Sequence, residues 1–391
     1  MTMDVRPRDS KPKLLYVVNE AYFFLSHRLP VARAAQDAGF DVHVAAPADH
    51  VWAPDGFSVT EIENAGFTFH EIKLSKRGQN PLQEFRTFAG LLSLYRRLKP
   101  EVVHHLTIKP NLYGGIAARV ARVPAMVSAV TGTGQIFVAE GALAGARRVA
   151  VSRLLSYGLR HGNARAIFQN GEDMATYVER GIVPRERAVV IRGSGVNLQE
   201  FRDRPESDSD PLVVMATRLI WEKGVREFVE AARTLRREGV EARFALVGGT
   251  HPSNPRSVPE DELRAWSDEG VVEWWGRRED MPDVLAQSHI VCLPSAYGEG
   301  VPRVLIEAAA CGRPCVATDI PGCRDVVRAG VSGILVPPGD SQALGAALKR
   351  LIQQPKLRAQ MGKAARRIAE ADFDVRDVAR ETAKIYADLC Q

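Results

Sequence analysis

Apolar residues in this chain come in short runs, each followed by a stretch whose apolar positions recur at three- and four-residue intervals. The run Lys13-Leu14-Leu15-Tyr16-Val17-Val18 predicts a strand, and after a polar-aromatic loop the helical pattern runs from Ser26 to Ala38. Gly39 ends that helix and Val42-His43-Val44-Ala45 starts the next strand, so the opening unit reads as βαβ. Helices over 82–98 and 111–121 alternate with strands over 101–106, 125–129 and 165–169. Strands that are apolar throughout imply a parallel sheet with helices on both faces.

The segment Arg202-Asp-Arg-Pro-Glu-Ser-Asp-Ser-Asp-Pro211 is short, polar and bounded by prolines, and it reads as a linker. The alternation then restarts, with strands at Leu212–Ala216, Arg243–Val247, Val271–Trp275, Ile290–Leu293 and Cys315–Thr318. Helices are predicted at Val225–Arg237, Val301–Ala310, 341–353, 356–369 and 375–389. The expectation is an α/β chain of two Rossmann-like, doubly wound parallel-sheet domains facing across a cleft. The boundaries are 1–201, a linker 202–211, 212–372, and a closing helix within 373–391 that packs back on the first domain. Ligands of such sheets bind at the carboxyl ends of the strands.

Composition excludes several classes. No run approaches the eighteen or so apolar residues of a membrane span, and Met1–Lys13 lacks the apolar core of a secretory signal. The five cysteines form no Cys-x-x-Cys pair and read as free thiols in a reducing cytosol. Net charge is +5, but residues 1–195 carry +8 and the rest −3, so the first half suits an anionic partner as well as ordinary surface charge. Between Glu140 and Glu172 there are five arginines and no acid. Nucleic acid is not expected as the partner, since no recognition module accompanies the charge.

Three clusters sit where strands of the second half give way to helices. In Thr217-Arg218-Leu219-Ile220-Trp221-Glu222-Lys223-Gly224, the two cations are placed to reach a diphosphate, Arg as a bidentate fork and Lys as a compact charge. Two solvated surface cations are the plain alternative. In Tyr297-Gly298-Glu299-Gly300-Val301-Pro302-Arg303-Val304-Leu305-Ile306-Glu307, the amides of Gly300 and Val301 at a helix start suit an anion. Glu299 lies in the loop, ready to accept from sugar hydroxyls, and Glu307 lies among apolar residues where a carboxylate needs partners. The third cluster, Val272-Glu273-Trp274-Trp275-Gly276-Arg277-Arg278, could border a nucleobase, although many α/β loops look like it.

Together these residues resemble glycosyltransferase family 4, whose members have the two-domain GT-B fold. Glu299…Glu307 is similar to that family's Glu-x7-Glu signature, and Arg218…Glu222-Lys223-Gly224 to its phosphate-binding segment. The resemblance implies a retaining transfer from a nucleotide sugar, UDP-linked by preference. Glu307 would then sit on the donor ribose, Glu299 near the donor sugar, and Arg218 and Lys223 on the diphosphate. Gly249, Arg277, Gly300 and Val301 complete the expected donor set.

The segments Phe23-Phe24-Leu25-Ser26-His27-Arg28-Leu29-Pro30, His104-His105-Leu106-Thr107-Ile108-Lys109-Pro110 and Thr131-Gly132-Thr133-Gly134 are similar to a subgroup that acts on polyprenyl-diphosphate-linked saccharides. Asn19, Tyr22, Lys109, Thr131 and Thr133 are the expected acceptor residues. Two departures matter. The loop after the first strand is Asn19-Glu20-Ala21-Tyr22-Phe23 instead of glycine-rich, and Leu106 stands where many members carry a histidine. His105 is therefore either a substitute in catalysis or a packed strand histidine.

Charge develops on the departing nucleoside diphosphate, so fixed cations and amides should dominate catalysis. No carboxylate is placed as a covalent nucleophile, which favours same-face attack by the acceptor. The only Asp-x-Asp, Asp208-Ser209-Asp210, falls in the linker, so the expectation is a transferase with no metal and no cofactor. Arg153 and Arg160 share one side of a helical stretch from Ala142 to Arg165, although Arg147 and Arg148 intrude on its apolar side. Peripheral docking on an anionic membrane at the cytoplasmic face stands beside a core-packed helix as the two readings. A soluble acceptor, and a binding regulator without turnover, are the rival functions. A dinucleotide oxidoreductase would need a Gly-x-Gly-x-x-Gly after the first strand, which is absent.

Overall fold

The computed structural model describes residues 11–48, 57–74, 80–132, 142–250 and 254–391, and only the backbone course at 142–144 and 146–148. The chain divides into two compact units. One comprises Met1–Thr131, Gln135–Ile191 and Ala379–Gln391, the other Gly132–Gly134 and Arg192–Val378. Each is a parallel sheet flanked by helices, the GT-B class of α/β fold.

In the first unit the strands are β1 (Lys13–Val17), β2 (Asp41–Ala46), β3 (Thr68–Glu71), β4 (Val102–Leu106), β5 (Ala125–Val130), β6 (Ala164–Phe168) and β7 (Ala188–Val190). Among the described residues they lie in the order β3-β2-β1-β4-β5-β6-β7, every pair parallel. Chain direction across the sheet reverses between β1 and β4, which makes that pair a switch point. The flanking helices are α1 (Ala21–Asp37), α2 (Thr60–Asn64), α3 (Pro81–Leu98), α4 (Gly115–Ala121), α5 (Ala142–Leu159) and α6 (Gly171–Glu179).

Helix α3 starts where Asn80 accepts from the Leu82 amide at 3.0 Å and Pro81 takes the first position. Helix α1 begins five residues earlier than the periodicity from Ser26 predicts. Phe24, read as loop, is buried edge-on against Tyr16 and Phe67, at 5.4 Å in each case.

The last helix, α14 (Val375–Leu389), contributes Tyr386 to the interior of the first unit. Its hydroxyl lies 2.9 Å from that of Tyr16 and 2.6 Å from Nδ1 of His104, and all three side chains are buried. Arg28 is buried beside them, and the desolvation lowers its guanidinium's affinity for its proton.

The second unit holds β8 (Leu212–Ala216), β9 (Arg243–Val247), β10 (Glu273–Gly276), β11 (Ile290–Leu293), β12 (Cys315–Thr318) and β13 (Gly333–Val336). Their order is β10-β9-β8-β11-β12-β13, so the switch point falls between β8 and β11. Helices α7 (Val225–Arg237), α8 (Glu260–Asp268), α9 (Met281–Gln287), α10 (Arg303–Ala310), α11 (Pro321–Val326), α12 (Ser341–Gln353) and α13 (Pro355–Asp372) cover it.

The polar stretch 202–211 is built into this unit. Buried Arg313 donates to the Arg204 carbonyl at 2.8 Å, and Arg358 clasps Glu206 at 2.8 Å. Its polar composition reflects such contacts as well as solvent, and the boundary between units falls at Ile191/Arg192.

Candidate active site

The loops that leave β8 and β11 meet at the switch point of the second sheet. After β8 the chain makes a single 3₁₀ turn, Trp221–Lys223, and Gly224 closes it at φ +80. A side chain at Gly224 would collide with the Pro294 carbonyl of the other loop, so both conformation and space demand glycine. The Ala296 amide also donates to the Glu222 carbonyl at 2.9 Å, locking the two loops together.

This packing delivers Lys223 to Glu299. Its ammonium pairs with Oε1 of Glu299, and the Ser295 hydroxyl donates to the same oxygen at 2.7 Å. Ser295 is itself held, its carbonyl accepting from Thr318 Oγ1 at 2.7 Å. Burial pushes the Glu299 carboxyl up, but Lys223, Ser295 and the nearby charge of Arg218 together hold it below the usual range. Arg218 is exposed on the β8 loop, and its field reaches both Glu299 and Tyr297. Arg218, Lys223 and Glu299 therefore converge.

Pro302 is the N-cap of α10, and Glu307 stands one turn inside that helix. Its carboxylate is buried, 2.6 Å from Nε of Arg303. Burial outweighs the pull of Arg303 and, with Glu200 adding to it, raises the carboxyl above its ordinary value. Gly300 is pressed backbone to backbone against Gly322 at the start of α11, where a Cβ would fall on the Gly300 carbonyl. Val301 is buried beside it. On the far side of β8, the Gly249 carbonyl accepts from the Leu219 amide at 3.1 Å and Gly249 lies next to Arg277, an exposed residue at the end of β10.

Sequence reasoning missed Ser295 and Thr318. A hydroxyl four residues ahead of a loop glutamate, just past a strand end, was the available signal for Ser295. Tyr297 was quoted in the motif but given no role. It is half-buried, and burial together with Glu222 and Glu299 makes its phenol a weaker acid.

In the first unit, His105 lies on the α3 side of the sheet, where its Nε2 lies 2.8 Å from the Tyr95 hydroxyl and against Gly114. It is fully buried, in the manner of a packed strand histidine. Asn19 lies two residues past the end of β1, Tyr22 sits in the first turn of α1 edge-on to Phe57 at 5.6 Å, and Lys109 pairs with Glu84 at 2.6 Å. Thr131 is half-buried after β5, and Thr133 lies outside the described residues.

Helix α5 exposes Val149, Leu154 and Tyr157 together with Arg153 and Arg160, while the side chains of Arg147 and Arg148 lie outside the described residues. Among the described residues no helix is long and apolar enough to cross a membrane, and no three His, Cys, Asp or Glu side chains gather as metal ligands. None of the five cysteines is in a disulfide, and burial pushes Cys311 and Cys315 up to about 12.

Two family models match the chain, "Glycosyl transferase 4-like" over residues 13–170 and "Glycosyl transferases group 1" over 197–368. The chain is 28% identical to N,N'-diacetylbacillosaminyl-diphospho-undecaprenol alpha-1,3-N-acetylgalactosaminyltransferase of Campylobacter jejuni, over 93% of this chain and 97% of that one. It is 27% identical to UDP-Gal:alpha-D-GlcNAc-diphosphoundecaprenol alpha-1,3-galactosyltransferase of Escherichia coli, over 67% of this chain and 70% of that one. In fold it is similar to Anabaena HepE solved with UDP-glucose, with a TM-score of 0.76 and 20% identity over 96% of this chain and 100% of that one.

Proposed function

The chain belongs to the family 4 glycosyltransferases of the GT-B fold, and from that premise we propose that it moves a hexosyl or N-acetylhexosaminyl group from a UDP-sugar to a saccharide carried on a polyprenyl diphosphate. Such a step extends a surface glycan or a glycan destined for protein. The observation that carries the donor half is the convergence of Arg218, Lys223 and Glu299 at the switch point between β8 and β11. The acceptor half is supported by the two relatives named for undecaprenyl-diphosphate-linked saccharides.

In this reading the bond between the anomeric carbon and the diphosphate oxygen breaks while an acceptor hydroxyl bonds to the same carbon, its proton passing to the departing diphosphate oxygen. Lys223 and Arg218 take the negative charge that grows on the departing diphosphate, with the backbone around Gly300 and Val301 beside it. Glu299, kept ionised by its neighbours, accepts from hydroxyls of the donor sugar, and Glu307 from those of the ribose. Gly249 and Arg277 border the base. With no carboxylate set as a covalent nucleophile, the acceptor enters on the face the diphosphate leaves, and the configuration is retained. Two fixed cations carry the charge work that a divalent metal would otherwise do, so the transfer proceeds without metal, and full activity in a chelator is the check on that point.

The deciding experiment is a thermal-shift screen of nucleotide sugars, followed by transfer from the best donor to farnesyl-diphosphate-linked N-acetylglucosamine and extraction of the product into organic solvent. A UDP-sugar that raises the melting temperature and labels the extracted lipid is the expected result. Label confined to soluble sugar overturns the acceptor, and no shift with any nucleotide sugar overturns the donor.

A further inference from the structure

The first sheet has its own switch point, between β1 and β4, and α3 covers one side of it. Leu15 and Val17 of β1 and Val103 of β4 pack there with Leu91, Leu94 and Tyr95 of α3. The register pairs Val17 with His105. Two residues further on, Asn19 and Thr107 therefore stand just past the carboxyl ends of the two strands.

Thr107 adopts φ +72, a left-handed conformation that a β-branched residue enters only at a cost and that concentrates at ligand sites. The chain turns there, and Lys109 reaches Oε1 of Glu84 in the first turn of α3. The other oxygen of Glu84 is buried and has no hydrogen-bond partner among the described residues, and the same holds for Oδ1 of Asn19. Buried acceptor oxygens are ordinarily satisfied, and two such oxygens at one sheet edge suit a donor brought by a ligand. Leu82 and Phe85, flanking Glu84, are 56% and 63% exposed. An apolar step beside a polar subsite suits a sugar on an apolar carrier.

We propose that Glu84 is a specificity-determining residue for the acceptor: its Oε2, with Asn19 Oδ1 on the same edge, accepts hydrogen bonds from hydroxyl or amide groups of the acceptor saccharide. Lys109 holds the carboxylate in place. This assignment rests on the lipid-linked-saccharide reading given above.

Glu84→Gln, which keeps the volume but turns one oxygen into a donor, tests it. With farnesyl-diphosphate-linked N-acetylglucosamine as acceptor, the expected result is an acceptor KM raised about tenfold or more. Donor affinity, slow UDP release without acceptor, and melting temperature should stay at wild-type values. Asn19→Ser should raise the acceptor KM in the same selective way. An unchanged acceptor KM in both variants overturns the subsite. So does a loss that Lys109→Met reproduces in full together with a lowered melting temperature, since that marks a purely structural ion pair. A wild-type protein that binds UDP-sugar but glycosylates no lipid-linked acceptor overturns the functional reading and the subsite with it. An active wild type with unaltered variants removes the subsite alone.

Discussion

Lys223 and Glu299, 76 residues apart, close on each other because the loops after β8 and β11 interlock through Gly224 and Pro294. The pair is only partly exposed, 14% for the lysine and 19% for the glutamate. A diphosphate arriving beside Arg218 would thus find a cation already desolvated and oriented.

Removing either cation should slow turnover by about 10²–10³, roughly 3–4 kcal/mol, as when one preorganised charge-stabilising donor is lost. Lys223→Ala and Arg218→Ala are the variants, and steady-state kcat with saturating donor is the measurement. Unchanged turnover in either would remove that cation from the mechanism.

Glu307 should separate stability from function. Its carboxyl is raised above the ordinary value of 4.5 by burial. An acid whose folded pKa is raised costs stability as pH climbs above the unfolded value, because the unfolded chain then releases the proton more readily. Glu307→Gln is therefore expected to melt no lower than wild type at pH 8, while its affinity for the UDP-sugar falls about tenfold or more. Parallel melts with and without donor check both halves.

The histidines of β4 set a different pH dependence. Burial holds His104 well below its ordinary 6.5, and burial, with the neighbouring His161, holds His105 at about 3. Both stay neutral in the folded chain while the unfolded chain takes up protons below about pH 6.5. Stability is full above that pH and falls beneath it, by up to about 1.4 kcal/mol per pH unit per histidine. Urea midpoints should drop between pH 7.5 and pH 5. His105→Gln should flatten that slope and lower stability by about 1–3 kcal/mol, since it leaves the Tyr95 hydroxyl without its ring partner. It should leave kcat near wild type below the melting range, and a large loss of kcat would return His105 to the chemistry.

The exposed face of α5 supports a fourth expectation. Val149, Leu154 and Tyr157 lie in solvent with Arg153 and Arg160. Each such cation near an anionic surface contributes about 1 kcal/mol. The protein should float with anionic liposomes at low salt and leave them as salt rises, and Arg153→Glu with Arg160→Glu should abolish flotation. Absence of binding at every salt concentration removes the membrane role.

How far the sequence carried depended on whether a feature was local. The strand-to-helix junctions of the second half were legible because each motif lies within one loop and a strand end places it. Pairings across loops were not. Nothing in the string ties Lys223 to Glu299, or Glu84 to Lys109, until the sheet order brings them together. His104 and His105 show a second limit. In a strand buried on both faces, alternation says that neighbours point apart but not which points where. The tract 202–211 shows a third, since residues held by Arg313 through a carbonyl and by Arg358 through a carboxylate read from the string alone as a solvated tether.

Tyr386 reaches the hydroxyl of Tyr16 and the ring of His104 from the far end of the chain. A ribosome therefore delivers this piece of the first unit only after every strand of the second has been made. Until then a buried histidine and tyrosine lack their shared partner, so the half that begins first is the half that finishes last.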